Sequence, residues 1–250
     1  MKALITGASS GIGLDMARYL ATKKCELILV ARSKEKLEEI QESLPTKVTI
    51  IVADLSNEQK VKELYVLIKK ENIDILINNA GFGLFGDFTD TDLSKELEMI
   101  DVNIRAVHVL TKFVLRDMEK KQSGYILNVA SSAGFVPGPL MATYYATKAY
   151  VYRLTEAIAE EQRVKKTGVK ISCLCPGPVA TNFQNVADVK FTVKPLSSSY
   201  VAKYAIDEMF KGKICIVPGF KMKLAKFCER FASDRFMAKL AYNFQKKKAK

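Results

Sequence analysis

KALITGASSGIGLDMARYLATKK, residues 2–24, joins a short apolar run to a helical period through a turn of small residues. Residues 2–5 read as a strand, 6–13 as a turn and the rest as a helix, which is the opening of an α/β unit. Small side chains in such a turn let the backbone approach a bound pyrophosphate. The helix N-terminus then directs unpaired N–H groups and partial positive charge at that anion. The glycines stand at Gly7, Gly11 and Gly13, a spacing that differs from the common G-x-G-x-x-G fingerprint.

Strand and helix patterns alternate from there on. A second strand over residues 26–30 ends in Ala31-Arg32, ahead of a helix over 33–43. In a dinucleotide fold an acid at this strand end binds the ribose hydroxyls, whereas an arginine meets a 2′-phosphate, so Ala31 and Arg32 favour NADP over NAD. A third run, 47–53, closes on Asp54-Leu55. Asp54 is placed either to meet the adenine edge or to cap a turn, and Ser56 with Gln59 forms a capping-box pattern for a helix reaching about residue 71. The fourth strand, 73–77, runs into NNAGFG, residues 78–83. Such alternation implies a parallel sheet with helices on both faces and a ligand at the carboxyl ends of the strands. Every motif quoted falls at those ends.

The second half carries the reacting groups. A helical stretch of about 92–121 contains Asn103, and a strand at 125–130 delivers Ser131. On a helix over 142–166, Tyr144 and Lys148 leave from the same face, one turn apart. An ammonium beside a phenol favours the phenolate, and lowering the phenol by about 3 pKa units takes roughly 4 kcal/mol of preferential stabilisation. A partly buried lysine together with a cationic cofactor ring is expected to supply it, making Tyr144 an acid near neutral pH. A strand over 169–175 ends in PGPVAT, residues 176–181, where the prolines stiffen a turn and Thr181 offers a hydroxyl to a ligand. Residues 182–199 read as irregular and long, a candidate lid with apolar Phe183, Val186, Phe191 and Val193. A helix to 211, a strand at 214–217 and a helical tail complete the chain.

With TGASSGIG, NNAG, Ser131, Tyr144-x-x-x-Lys148 and PGPVAT in this order over residues 1–217, the sequence resembles the short-chain dehydrogenase/reductase family in its compact single-domain form. The resemblance implies a doubly wound, Rossmann-like sheet of seven strands, a nicotinamide cofactor and a catalytic tetrad. Tyr144 would be the acid/base, Lys148 would hold the nicotinamide ribose and tune Tyr144, Ser131 would bind the substrate oxygen, and Asn103 would support a proton relay. The family's serine lies about thirteen positions before its tyrosine, which selects Ser131 over Ser132, and of Tyr144 and Tyr145 only the first has a lysine four positions on. Gly7, Ser9, Ser10, Ile12 and Gly13 would hold the pyrophosphate side, with Asn79 and Ala80 in the middle and Pro176 and Thr181 at the nicotinamide end. The aspartate common in NAD-preferring members is Ala31 here, in agreement with Arg32 and NADP(H). Family members are commonly homodimers or homotetramers.

Composition limits the alternatives. The 250 residues, 48% hydrophobic, suit one α/β domain with a core over 1–217 and an extension over 218–250. No uncharged run is long enough to span a bilayer, and the N-terminus opens directly on the first strand, so a cytoplasmic protein is expected. The five cysteines read as reduced and mostly buried, no metal-ligand cluster is visible, and the single histidine, His108, reads as a helix-face or core residue, which disfavours hydrolase and zinc chemistry. In residues 211–250, twelve Lys and Arg stand against two acids, so the tail carries all but two of the net +12 charges. Leu224, Phe227, Cys228, Phe231, Phe236, Leu240 and Phe244 recur there at helical spacing, a basic amphipathic pattern. It reads either as peripheral contact with anionic membrane or, the favoured reading, as packing on the domain, over the cleft or between subunits. Nucleic-acid binding is disfavoured for want of a recognition motif. The expected activity is NADP(H)-linked interconversion of a secondary alcohol and a ketone on a lipophilic substrate such as a hydroxysteroid, a bile acid or a 3-oxoacyl chain. A sugar-nucleotide epimerase and a non-catalytic NADP sensor are the alternatives; the short chain after Thr181 counts against the first and the intact tetrad against the second.

Overall fold

Residues 2–6 put Ala3 and Ile5 on one side and Leu4 on the other, and all three are fully buried. A strand apolar on both faces needs cover on both, which is the condition of a parallel sheet between helical layers. The computed structural model describes residues 1–187 and 194–246. In chain order it contains β1 (Lys2–Thr6), α1 (Gly11–Thr22), β2 (Glu26–Ala31), α2 (Lys34–Ser43), β3 (Val48–Val52), α3 (Glu58–Ile68), β4 (Ile75–Asn78), α4 (Leu93–Ile100), α5 (Val107–Lys121), β5 (Gly124–Val129), α6 (Ala142–Lys165) and β6 (Val169–Leu174). There follow β7 (Val179–Ala180), α7 (Phe183–Val186), β8 (Leu196–Ser197), α8 (Ser198–Phe210), β9 (Cys215–Ile216), α9 (Phe220–Cys228) and α10 (Asp234–Lys246). Seven strands form one parallel sheet in the order β3-β2-β1-β4-β5-β6-β9. The strand order reverses between β1 and β4, and the crevice at that reversal is where an open α/β sheet receives a ligand.

One face of the sheet packs Ile5, Leu27 and Leu29 against Met16 and Leu20 of α1 and Val201 and Ile206 of α8. The other packs Leu4, Ile28 and Val30 against Leu64 and Ile68 of α3 and Leu110 and Val114 of α5. A polar network crosses this second layer. Asn78 Nδ2 donates to Thr111 Oγ1 at 3.0 Å and to Asn128 Oδ1 at 2.8 Å, and Asn128 Nδ2 donates to Thr155 Oγ1 at 3.0 Å. These four side chains are buried, so each unmade bond would cost the full desolvation of its group. The network fixes α5 and α6 on the strands whose ends form the cleft.

Three local expectations are corrected. Residues 92–121 are not one regular helix: a π-helical turn over Asp101–Ala106 separates α4 from α5. The cap of α3 is Asn57, whose side chain accepts from Lys60 N, because Ser56 is drawn back to Asp54, donating its N–H and hydroxyl to Oδ1 at 3.0 and 2.9 Å. In segment 182–199, read as irregular, the described residues carry regular elements: α7 follows Thr181, β8 pairs with β7, and Ser197 caps α8. Phe191 and Val193 of the expected lid lie outside the described residues. The five cysteines are free thiols and mostly buried, as expected: Cys25, Cys173 and Cys175 are buried, Cys215 half-buried and Cys228 exposed. His108 is a half-buried helix-face residue whose Nδ1 shares a 2.7 Å hydrogen bond with Tyr150.

The tail meets the domain through few of its side chains. Phe220, Leu224, Phe227, Phe231, Phe236, Leu240 and Phe244 are all exposed, so the apolar row does not pack on the domain. Contact is made instead by Met222, Lys226 and Gln245. Lys226 Nζ donates to Tyr152 OH and to Cys215 Sγ, both at 2.8 Å, and Met222 packs beside Tyr152 and Cys175. No described helix is long and apolar enough to cross a membrane.

Candidate active site

The cleft floor is backbone. At Gly7, φ is +63°, and an added Cβ would stand 2.8 Å from Ala80 Cα; at Gly13 it would stand 2.4 Å from Asn79 Nδ2 and 2.5 Å from Gly7 O. Neither position has room for a side chain. Asn79 uses its amide to close this turn, donating to Thr6 O at 3.0 Å and Gly7 O at 3.1 Å. Thr6, which sequence reading passed over, accepts from Asn79 N and Ala80 N through its hydroxyl at 3.0 and 3.1 Å, tying β1 to β4 directly beneath the turn. Ser10 is the N-cap of α1, yet among the described residues its side chain makes no capping hydrogen bond. The first N–H groups of α1 are thus left to the cleft, as anion binding requires.

The cleft holds about 460 Å³ and is lined at one end by Ser9, Ile12, Arg32, Asp54 and Leu55. Arg32 keeps 71% of its side chain exposed and makes one 3.4 Å ion pair with Glu98. Such an exposed pair holds little energy, so the guanidinium is free to turn to a phosphate. Asp54 is held below the usual carboxylate range by its backbone hydrogen bond from Ser56, with the Arg32 charge as a weaker cause. Its charge is committed to that turn. At the opposite end Pro176 O accepts from Ser132 N at 2.8 Å, and the methyl of Thr181 would lie 3.1 Å from a Cβ at Gly11. Gly11, at φ +57°, is what lets the Pro176–Thr181 loop meet the glycine turn.

The reacting groups lie between these ends. Tyr144 is buried, and burial pushes its phenol up, while a hydrogen bond from Ser131 pulls weakly the other way. Lys148 is pushed down to about 8 by burial. Its Nζ donates to Val129 O at 3.0 Å and stands 5.8 Å from the centroid of the Tyr144 ring. In the chain by itself burial decides the direction for Tyr144, so the expected lowering calls on the cofactor ring beside the lysine.

Asn103 sits on the π-helical turn, fully buried. Its Nδ2 donates to Phe82 O at 2.9 Å and Thr147 Oγ1 at 3.0 Å, and its Oδ1 accepts from Phe82 N at 3.1 Å. A Cβ at Gly81 would lie 2.8 Å from that oxygen and 3.2 Å from Lys148 Nζ, which brings the asparagine and the lysine to the same bare glycine. Ser131 Oγ accepts from Ala133 N at 3.1 Å, fixing its rotamer at the end of β5. Among the described residues no group of acids, cysteines and histidine could hold a metal ion.

Beyond Tyr144 the wall turns apolar, with Phe82, Met141 and Phe183. Gly83 admits Phe183, whose ring would come within 2.8 Å of a Cβ there. Two lining residues were not singled out from sequence. Tyr145 lies with its ring on Gly138, and Gln245 reaches in from α10 to donate to the Tyr145 hydroxyl. Gln245 had no local signal, since its partner is a hundred residues away. All fourteen positions expected at the cofactor and the four expected at the chemistry lie in or against this cleft, apart from Gly13 and Asn103, which act one layer behind it. The glycine cradle, the open helix N-terminus and the buried lysine fit a nicotinamide dinucleotide.

A family model described as short chain dehydrogenase matches residues 1–190. Over 181 residues the chain is 35% identical to an uncharacterized oxidoreductase of Staphylococcus epidermidis, covering 72% of this chain and 78% of that protein. Among solved structures it is similar to a short-chain dehydrogenase from Sphingobium yanoikuyae in complex with NADPH, with a TM-score of 0.82, 27% identity and 88% of each chain covered. It is also similar to a bulky-bulky ketone specific alcohol dehydrogenase from Comamonas testosteroni, with a TM-score of 0.78, 25% identity, and 94% and 98% of the two chains covered. The chain belongs to the short-chain dehydrogenase family, a family of oxidoreductases.

Proposed function

We propose that this protein is an NADP(H)-dependent oxidoreductase that interconverts a secondary alcohol and a ketone on a lipophilic substrate. The observation that carries the reading is the buried phenol of Tyr144, sharing the cleft with Ser131 and Lys148 at the junction of a dinucleotide cradle and an apolar pocket. A reduced nicotinamide, when bound, supplies the hydride. Ser131 holds the substrate oxygen, and Tyr144 gives that oxygen its proton. Lys148 orients the nicotinamide ribose from its anchor on Val129 O, and its charge, joined by that of the oxidised ring, draws the phenol back down for the reverse direction. Asn103 braces the loop at Phe82 and so supports a proton relay beside Lys148 without itself carrying a proton. Fixing the reactants in this geometry supplies much of the remaining rate.

Arg32 supports NADP over NAD, as does the NADPH held by the Sphingobium relative. Phe82, Met141 and Phe183 support an apolar substrate, in line with the bulky ketones of the Comamonas relative. The test is NADPH and NADH oxidation at 340 nm across hydroxysteroid, bile-acid, 3-oxoacyl and small ketones. Turnover on one bulky class with NADPH is expected; better turnover with NADH would overturn the role of Arg32, and none on any ketone would overturn the activity.

The tail supports a further reading, that a cytoplasmic homodimer or homotetramer touches anionic membrane through it. The observation favouring this is the exposed row of Phe220, Leu224, Phe227, Phe231, Phe236 and Phe244 among lysines. Apolar burial adds to about 1 kcal/mol per basic residue near an anionic surface. Salt-sensitive pelleting with phosphatidylserine vesicles is expected; a change of oligomer size on removing residues 221–250, without pelleting, would assign the row to subunit contact instead.

A further inference from the structure

We propose that Gln245 forms a second polar subsite, recognising a hydrogen-bond donor on the substrate, a hydroxyl or an amide N–H, remote from the reacting carbonyl. This rests on the alcohol–ketone reading of the cleft and specifies which lipophilic ketones it takes.

The observation is an inversion of ordinary helix packing. On α10 the apolar Phe236, Leu240 and Phe244 stay in solvent, whereas the amide of Gln245 is the residue that goes inside, only 1% exposed. Burying an amide is unfavourable unless its groups are bonded. Half of it is: Nε2 donates to the Tyr145 hydroxyl at 2.5 Å. The other half is not, since among the described residues Gln245 Oε1 is buried with no hydrogen-bond partner.

The surroundings fix where that oxygen is presented. Tyr145 cannot swing away easily, because its ring rests on Gly138, where a Cβ would stand 2.1 Å from the ring. The tyrosine therefore holds the amide in one orientation. Tyr144 and Tyr145 have ring centroids 6.1 Å apart, and both line the cavity that Gln245 closes. The wall around them is largely apolar, with Phe82, Met141 and Phe183, and Asn182 beside Phe183. A substrate anchored at Tyr144 and Ser131 thus extends along a largely apolar wall toward the Gln245 amide, whose oxygen has no partner among the described residues. A donor placed there satisfies an oxygen that is otherwise buried unpaired, and a site of this kind discriminates against the analogue that lacks the donor.

The test uses keto-steroids carrying one hydroxyl, scanned over the rings remote from the ketone, each with its oxo and unsubstituted counterparts. kcat/KM with NADPH is measured for the full-length wild type, Gln245→Leu and Tyr145→Phe. For the best-placed hydroxyl the wild type is expected to prefer the hydroxylated ketone over the unsubstituted one roughly tenfold. Gln245→Leu should bring that ratio to near one, and Tyr145→Phe, which leaves the acceptor but releases its orientation, should lower it partway. A preference that survives Gln245→Leu overturns the proposal, as does an oxo substituent preferred equally to the hydroxyl, since an oxo group has no proton to donate. Turnover of every ketone without preference overturns the subsite alone and means water serves the oxygen. Turnover of no ketone overturns the alcohol–ketone reading and the subsite with it.

Discussion

On the cofactor side of the cleft the wall is backbone, made by Gly7, Gly11, the first turn of α1 and the strand ends of β1 to β4, and it is closed by amides such as Asn79 that bond main-chain carbonyls. On the substrate side the wall is side chains: Phe82, Met141, Tyr145, Phe183 and Gln245, drawn from segments far apart in the chain. The first kind of wall tolerates little change, because a Cβ at Gly7 or Gly13 collides with neighbouring atoms. The second can be altered residue by residue, which suits a region that sets specificity rather than chemistry.

The largest effect is expected where backbone meets backbone. Gly13→Val places atoms within 2.4 Å of Asn79 Nδ2 and 2.5 Å of Gly7 O, so the turn must open. Dinucleotide affinity should fall at least about tenfold and stability by about 1–3 kcal/mol. A fluorescence titration with NADPH and a melting curve read both, and near-normal values would show the cradle to be softer than drawn. Next in size is Arg32→Ala, expected to weaken NADPH binding roughly tenfold while leaving NADH within about twofold, since a charge-assisted phosphate contact is worth about 1.5–3 kcal/mol. Equal losses for both cofactors would remove Arg32 from the phosphate.

Cutting the chain after Ser233 removes α10 and Gln245 from the substrate side alone. Dinucleotide affinity should then stay within about twofold and selectivity among ketones should relax by up to about tenfold. A parallel loss of cofactor binding would mean that the two walls are not separable. The smallest effect concerns Cys215, drawn down to about 6 by hydrogen bonds from Cys175 and from Lys226 of the tail. Because the thiolate is the reacting form, iodoacetamide labelling at Cys215 should reach half its maximal rate near pH 6 and shift upward in Lys226→Met. A pH profile identical in the two proteins would detach the tail from this edge of the sheet.

The contrast between the walls also explains what was legible in the sequence. The parallel sheet follows from apolar runs separated by helical periods, the glycine turn and Arg32 follow from their places at strand ends, and Ser131 with the Tyr144–Lys148 pair on α6 follows from the family resemblance. Nothing local reports that Ser56 prefers Asp54 to the helix it precedes, or that a π-helical turn carries Asn103. Thr6 looked like any strand terminus, although it ties two strands under the cradle. The tail was readable as amphipathic, but an amphipathic pattern does not say which face is covered, and here the apolar face is exposed while a glutamine is buried. The phenol of Tyr144 is expected to be lowered by its lysine together with a cationic cofactor ring, and spacing shows that adjacency but not the burial, which pushes the phenol up in the chain by itself.

The most direct test of the central claim is Tyr144→Phe, titrated with NADPH and assayed at 340 nm with a ketone that the wild type reduces. The account expects NADPH affinity within about twofold of wild type and turnover lower by about a thousandfold, within the usual worth of a positioned proton donor. Turnover within about tenfold of wild type, with cofactor still bound, would contradict the account and move the proton to another group.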